Sequence, residues 1–293
     1  MTITVLDTSA GMTAVLDAAP ARRDGELRRM LLPMEGMYRY FPGEVDLVQM
    51  HAMGFGFPLD RDEEEVRAAL LWLQDADAWN RIEGALARGV AVQSEAVEGL
   101  VVPDIRMLLV LGDPGNGYFM GAARGLSGNG GMTGYLTLTL WPTEENLDRL
   151  EASAVHELNH NLRYAPGGVV WDPASVTVGE HVVSEGLADA FARQLHGEEK
   201  GRTPMGRGLR GDREVFDRMV GGLAVTGMQN FTAWVHGDEA ARLFGAEPVG
   251  IPAGAGYAVG NELVDRYLAA TGMTAAAALH APSAEIIDVA LGR

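Results

Sequence analysis

The segment Ala154–Leu162 contains a His-Glu-x-x-His pattern at positions 156–160, inside a run with apolar residues at helical spacing. On a helix, residues four positions apart lie one turn above each other on the same face. His156 and His160 could therefore both bind one zinc ion, each through an imidazole nitrogen about 2.0–2.1 Å from the metal. Glu157 projects beside them, where a carboxylate can polarise a metal-bound water and take its proton.

The residues around the pattern predict one long amphipathic helix. Thr143 is a candidate N-cap, and Glu144 and Glu145 supply the negative charge that a first helical turn favours. Arg163 falls in the last turn, and Pro166-Gly167-Gly168 ends the helix. The alternative is a chance match, in which the two histidines lie on a half-buried face and bond backbone carbonyls.

A catalytic zinc site usually needs three protein ligands and one open position. A third histidine six residues after the second is excluded, because Arg163 and Pro166 occupy the positions of the glycine and histidine of that pattern. The next predicted helix, residues 182–192, carries Glu185 among mostly apolar neighbours, and a buried carboxylate needs a partner. We therefore expect Glu185 to be the third ligand.

Three neighbouring residues qualify this assignment. His181 lies four residues before Glu185 on the same helix face and is an alternative third ligand or a substrate contact. Glu180 is a weaker alternative. Asp189 lies one turn after Glu185, where it could accept a hydrogen bond from a ligand histidine and fix its tautomer. Acidic residues one turn apart also occur on solvated helix faces, which is the alternative for Glu185 and Asp189.

Together these residues resemble the gluzincin branch of zinc metallopeptidases, and more narrowly a bacterial family of predicted zinc-dependent proteases of unknown function. The matching segments are His156–His160, Ser184–Asp189 and Ala255–Gly260, followed by Leu263-Val264 and Tyr267-Leu268. The resemblance implies a zincin-like fold, Zn²⁺ as the cofactor and hydrolysis of peptide bonds with Glu157 as general base. It also suggests that Tyr257 donates to the oxyanion of the intermediate. The alternative for Tyr257 is packing between two glycines.

The pattern of elements predicts an α+β fold in which a small sheet packs on the motif helix. Ile105–Leu111 and Gly134–Leu140 read as strands, and Tyr118–Gly121 as another short strand. The glycine-rich segment Gly125–Gly131 favours a mobile loop over the cleft, since it lacks the Gly-Lys-Ser/Thr ending of a phosphate loop. Gly134–Leu140 immediately precedes the motif helix, and in zincins a strand near this helix forms the cleft edge, with which an extended peptide can pair.

Two regions are predicted along the chain. Residues 1–100 read as a mainly helical N-terminal region, and residues 101–293 as the catalytic region with a helical C-terminal lobe. We expect the two to form one compact unit.

Composition limits the partners. The chain has no cysteine, so any metal must be bound by His, Asp or Glu. A net charge of −17 opposes binding to nucleic acid or to an anionic membrane surface. The N-terminus lacks the features of a signal peptide, and no apolar run is long enough to cross a bilayer. We expect a cytoplasmic protein whose partner is a peptide or protein substrate.

Two other classes of function remain open. One is a regulatory or interaction protein that binds metal on a zincin frame without hydrolysing anything. The intact Glu157 argues against it, because metal binding alone does not require that residue. The other is a non-haem iron enzyme, since two histidines and one carboxylate also form the iron site of many oxygenases. Adjacent helices and Glu157 fit hydrolysis better than the β-barrel on which that iron site is normally displayed.

Overall fold

The computed structural model describes residues 2–293, which combine a small sheet with many helices. The strands are β1 (Ile3–Val5), β2 (Ile105–Leu111), β3 (Leu126–Asn129) and β4 (Tyr135–Leu140). The helices are α1 (Thr8–Asp17), α2 (Pro20–Leu31), α3 (Leu47–Met53), α4 (Glu63–Asp75), α5 (Ala78–Ala96), α6 (Gly117–Met120), α7 (Glu144–Asp148), α8 (Leu150–Arg163), α9 (Val178–His196), α10 (Glu198–Gly201), α11 (Arg213–Gly222), α12 (Asp238–Leu243), α13 (Ala255–Thr271) and α14 (Ser283–Leu291). Short 3-10 helices cover Leu32–Tyr38, Arg207–Leu209 and Met228–Asn230, and a π-helix covers Thr232–His236.

The chain forms two compact units. The first comprises the chain up to Arg88 together with Val102–Asn161, and the second comprises Gly89–Val101 with Leu162–Arg293. The predicted division near residue 100 stays a prediction about domain organisation. Among residues 2–293, no helix combines the length and the apolar character that crossing a membrane requires.

The sheet of the first unit has the strand order β1-β2-β4-β3 within the described residues. Strands β1, β2 and β4 run parallel, and β3 pairs antiparallel with β4. Strand β2 is buried except at Arg106, which is typical of a parallel strand covered on both faces. The prediction of strands at Ile105–Leu111 and near Gly134–Leu140 is confirmed, and the fold is mixed α and β with a small sheet.

Two local predictions between these strands are wrong. Tyr118–Gly121 does not form a strand, because Asn116 caps the short helix α6 by accepting a hydrogen bond from the Phe119 amide at 2.9 Å. The segment predicted as a mobile loop instead forms β3, whose residues Leu126–Asn129 pair with β4. Its glycines favoured a loop, but the hydrogen bonds to β4 hold it extended as the terminal strand of the described sheet.

The predicted motif helix is divided into α7 and α8. Thr143 caps α7, as expected, because its hydroxyl accepts a hydrogen bond from the Asn146 amide at 3.1 Å. The side chain of Asn146 donates to the carbonyls of Arg124 at 3.0 Å and Trp141 at 3.0 Å. These bonds hold the first turn in place, and α8 then begins at Leu150 and carries the His-Glu-x-x-His pattern.

In the second unit α9 and α13 pack closely through glycines. A Cβ atom at Gly186 would overlap the carbonyl of Gly260, and one at Gly260 would overlap the carbonyl of Val182. This close approach explains two glycines of the sequence segments that carry the family resemblance. Residues 178–192 of α9 are all buried, so the prediction of a largely buried second helix is confirmed.

Candidate metal centre

Helix α8 brings the two histidines of the motif together. The Nε2 atoms of His156 and His160 lie 3.1 Å apart, and both residues are buried. Two nitrogens bound to one tetrahedral zinc ion, each at about 2.05 Å, would lie about 3.3 Å apart. The spacing in the structure therefore fits joint binding of one ion with only a small adjustment.

Glu185 on α9 completes a group of three potential ligands. One nitrogen from each of His156 and His160 and one carboxylate oxygen of Glu185 lie within 4.8 Å of one another, and all three residues are buried. Two imidazoles and a carboxylate are a common ligand set for catalytic zinc, which leaves a fourth position open. The group could hold a metal ion.

The alternative ligands proposed from the sequence lie in other surroundings. The His181 ring packs against the rings of Phe231, with centroids 4.8 Å apart, and Trp171, at 6.4 Å. Glu180 accepts two hydrogen bonds from the Arg163 guanidinium, at 2.8 and 3.0 Å, and one from the Tyr164 hydroxyl at 2.9 Å. Arg163 has no exposed surface, so Glu180 is required there as its counter-charge.

The buried surroundings of Tyr164 keep its hydroxyl neutral. Burial, and next the charge of Glu180, raise the pKa of the Tyr164 hydroxyl. Tyr164 therefore remains a hydrogen-bond donor at neutral pH and belongs to the structural ion pair rather than to a proton-transfer pathway.

Glu157, the predicted general base, fits between its helix and two glycines near the end of β3. A Cβ atom at Gly128 would overlap the Glu157 carboxylate, and one at Gly130 would overlap the Glu157 carbonyl. Glu157 is itself only 9% exposed. The sequence had marked these glycines only as loop residues, whereas their role is to leave room for Glu157.

Asn161 joins α8 to the turn between β3 and β4. Its Nδ2 donates to the carbonyls of Gly130 at 2.9 Å, Met132 at 2.9 Å and Tyr135 at 3.0 Å. Its Oδ1 accepts a hydrogen bond from the Gly134 amide at 3.0 Å. One fully buried side chain therefore fixes the whole turn beside the motif helix.

Asp189 is fully buried one turn after Glu185. It accepts hydrogen bonds from the Thr203 amide at 3.0 Å, the Thr203 hydroxyl at 2.7 Å and the Asn261 Nδ2 at 2.6 Å. These contacts connect α9 with α13 and with the segment after α10. The role of Asp189 toward a ligand histidine stays a prediction.

Sequence reasoning did not select His236, although it lies near two predicted site residues. Its ring is 5.9 Å from that of Tyr257, and its Nδ1 is buried without a hydrogen-bond partner among residues 2–293. Burial lowers the pKa of His236, and the charge of Glu185 acts in the opposite direction. His236 ends the π-helix, a rare element that occurs frequently at functional sites. The sequence around His236 shows no motif that would reveal it.

Comparison with known proteins identifies the family of the chain. The chain is 29% identical over 228 residues to the uncharacterized protein YjfC of Bacillus subtilis (strain 168), a match that covers 78% of this chain and 74% of the relative. No solved structure matches the chain. A family model described as predicted Zn-dependent protease (DUF2268) matches residues 88–288, which is more than half of the chain. The resemblance inferred from the motifs is confirmed, and the chain belongs to this family of predicted Zn-dependent proteases.

Proposed function

We propose that the protein is a zinc-dependent metallopeptidase with a zincin-like catalytic region. The observation that carries the proposal is the buried group of His156, His160 and Glu185, with Glu157 on the same helix as the two histidines. The three ligand atoms fit one zinc ion, and the family description supports the same metal. Glu157 is not needed for binding, so its presence beside the ligands supports hydrolysis over simple metal binding.

In this mechanism Glu157 is the general base. Bound zinc would supply a Lewis acid that lowers the pKa of a water and polarises the peptide carbonyl. Glu157 accepts the proton of that water while the water oxygen attacks the carbonyl carbon. Glu157 then delivers the proton to the amine nitrogen as the carbon–nitrogen bond breaks. The absence of a side chain at Gly128 leaves room for the Glu157 carboxylate, which supports this role.

Tyr257 and His236 are the proposed donors to the developing oxyanion. A tyrosine hydroxyl or an imidazole N–H can stabilise negative charge on the carbonyl oxygen. The position of His236 near both Glu185 and Tyr257 supports this assignment. Asp189 is proposed to help orient the site from α9, through the hydrogen bonds to Thr203 and Asn261.

Strand β3 is the proposed contact surface for the peptide backbone. It pairs with β4 on one side and is the terminal strand of the described sheet, so its other edge can pair with an extended chain. Gly128 and Gly130 bring this strand and the residue after it against Glu157. A peptide that adds to β3 would therefore pass beside the proposed general base.

The test is digestion of a complex peptide mixture by the wild-type protein and by Glu157→Gln, read by mass spectrometry. The substitution preserves the size of the side chain but removes the base, so zinc content and fold should be unchanged. Loss of a positioned general base commonly costs about 10²–10⁴-fold in rate, and we expect at least about a hundredfold. Tyr257→Phe should lose less, at most about 2.7–4 kcal/mol of transition-state stabilisation.

Two results would contradict the proposal. Equal cleavage by the wild type and Glu157→Gln would mean that the mechanism is wrong. No cleavage by either zinc-loaded protein would favour a metal-binding regulatory protein. Metal analysis of the purified protein distinguishes the peptidase and the metal-binding regulatory protein from the iron enzyme, which would contain iron rather than zinc.

A further inference from the structure

The second unit contains a cavity of about 220 Å³ beside Tyr257. Its lining includes Glu198, Glu199, Arg202, Arg207, Arg210 and Tyr257. Pockets for drug-sized ligands usually measure about 300–1,000 Å³, so this cavity has room for a side chain or a chain terminus rather than for a large ligand.

The lining of the cavity has more arginines than carboxylates, in a strongly acidic protein. Its lining holds three arginines and two glutamates, whereas the whole chain has a net charge of −17. Arg202 is paired with Glu198 at 2.5 Å and with Asp265 at 3.4 Å. Arg210 lies 3.5 Å from the same Glu198 and is largely exposed.

The negative charge of Glu198 is therefore already paired with Arg202 and Arg210. Partial burial opposes ionisation, but hydrogen bonds from Arg202 and Arg193 lower the pKa of Glu198 below its usual value. Glu198 stays ionised and bound to arginines at neutral pH. Glu199, the other acid of the lining, offers its backbone carbonyl to Arg207.

Arg207 differs from the other arginines of the cavity. Its Nη2 donates to the carbonyls of Glu199 at 2.7 Å and Arg202 at 3.3 Å. Within residues 2–293, no carboxylate lies within 4 Å of its guanidinium nitrogens. A guanidinium has five N–H donors in a planar fork that matches a carboxylate, and here only one of its nitrogens is engaged. Arg207 is exposed, and these two backbone contacts hold its guanidinium, which has no counter-ion among residues 2–293.

Two residues of α13 join the cavity to proposed site residues of the second unit. Tyr257, which lines the cavity, lies 5.9 Å from His236 between ring centroids. Asn261, also in the lining, donates to Asp189 on α9 at 2.6 Å. A substrate group in the cavity would therefore lie next to the proposed oxyanion donors.

We infer that this cavity is a substrate subsite that binds a carboxylate of the peptide, with Arg207 as its specificity-determining residue. The carboxylate could belong to an Asp or Glu side chain or to the C-terminus of the peptide, since both present the same group. The inference rests on the proposed peptidase function and adds a substrate class to it. The acidic surface of the protein would then disfavour highly acidic peptides, while one carboxylate at a fixed position is preferred.

The experiment compares peptides that differ in one carboxylate. The first arm digests peptide pairs with Glu or Gln at successive positions around the cleaved bond, each with a free or an amidated C-terminus. The enzymes are the wild type, Arg207→Gln and Arg207→Lys, with Arg22→Gln as a matched control on the exposed face of α2. The second arm measures binding of the same peptides to zinc-loaded Glu157→Gln, with and without Arg207→Gln, by fluorescence anisotropy.

We expect the wild type to prefer Glu over Gln at one position, or a free over an amidated terminus, by about tenfold in kcat/KM or more, the size of a hydrogen bond to a charged group. Arg207→Gln should abolish this preference, so that the two peptides of each pair are cleaved with equal kcat/KM. Arg207→Lys should restore part of it, because a lysine keeps the charge but not the fork. Arg22→Gln should behave as the wild type. The amidated peptides show which source of carboxylate is bound.

The inference is overturned if Arg207→Gln keeps the wild-type preference, or if the wild type shows none. The binding arm separates this result from failure of the proposed function. If no peptide is cleaved, the peptidase proposal fails, and equal binding of the Glu and Gln peptides would then overturn the subsite as well. Selective binding that Arg207→Gln abolishes would retain the subsite in a protein that does not hydrolyse peptides.

Discussion

Gly128 lies so close to Glu157 that a Cβ atom at position 128 would overlap the Oε1 atom of the carboxylate. A Cβ atom at position 130 would likewise overlap the backbone carbonyl of Glu157. The position of the proposed general base thus depends on two residues that have no side chain. Neither glycine has the positive backbone φ angle that would require glycine for another reason.

Gly128→Ala should therefore impair catalysis more than stability. The new methyl group must displace the Glu157 carboxylate, while His156, His160 and Glu185 are unchanged. A displacement of about 1 Å can cost about a hundredfold in rate, and we expect a loss of kcat of that order with full zinc content. Steady-state kinetics and metal analysis on the same preparation would measure both quantities.

Gly131→Ala is the matched control for this substitution. The nearest atom to a Cβ at position 131 is Oδ1 of Asn129, at 3.8 Å, which is ordinary contact. This variant should keep the wild-type rate. Equal rates for Gly128→Ala and the wild type would show that Glu157 does not need its present position.

The metal prediction concerns the two histidines of α8. Purified protein should contain about one zinc per chain, and His156→Ala and His160→Ala should each lose it. The reason is that each variant leaves only one imidazole and the Glu185 carboxylate in the group. Atomic absorption after dialysis against a weak chelator would measure the content, and full zinc in both variants would place the ligands elsewhere.

The third-ligand prediction compares two residues of α9. Glu185→Ala should weaken zinc binding more than His181→Ala, because Glu185 lies in the ligand group and the His181 ring packs against Phe231. Competition with a fluorescent zinc chelator would rank the affinities. The reverse order would make His181 the ligand and would remove the gluzincin assignment.

A pH prediction follows from His51 in the first unit. Burial lowers the pKa of His51 from 6.5 to about 4, although the hydrogen bond to the Phe57 carbonyl acts to raise it. Between these values the unfolded chain binds a proton at this residue and the folded chain does not, so the free energy of unfolding rises with pH. From pH 7 to pH 4 the protein should lose about 3 kcal/mol through this group.

Urea unfolding of the wild type and His51→Gln, at equal zinc concentration, would test this dependence. The glutamine can still donate to the Phe57 carbonyl but does not titrate. The pH dependence of the variant should be shallower by up to about 1.4 kcal/mol per pH unit within this range, since one proton fewer is linked to unfolding. Parallel curves for the two proteins would exclude His51 as the group responsible.

The sequence predicted those parts of the molecule that local patterns determine. The apolar runs predicted β2 and β4, and Thr143 predicted the start of α7. The His-Glu-x-x-His pattern with Glu185 predicted the group of three residues that could hold a metal ion. Each signal lies within a short segment, where periodicity or a capping residue suffices.

The parts that were missed depend on distant contacts. Strand β3 is extended because β4 supplies its hydrogen bonds, and its glycines alone favoured a loop. His236 approaches Tyr257 only because the chain between α11 and α13 folds back, which no local pattern indicates. Within residues 2–293, the lack of a counter-ion at Arg207 likewise depends on distant contacts, because the chain fold pairs Glu198 with Arg202 and Arg210 instead.

Asn161 sets a limit on how this protein can be redesigned. Its amide nitrogen donates to the carbonyls of two residues of the turn between β3 and β4 and of the first residue of β4, and its oxygen accepts from a third residue of the turn. The turn therefore cannot be replaced independently of helix α8. A loop grafted from another protein would lose these bonds unless it reproduced the same backbone path, and the amide of Asn161 would be left buried without partners. Changes of specificity made by loop exchange must therefore redesign the turn and helix α8 as one piece.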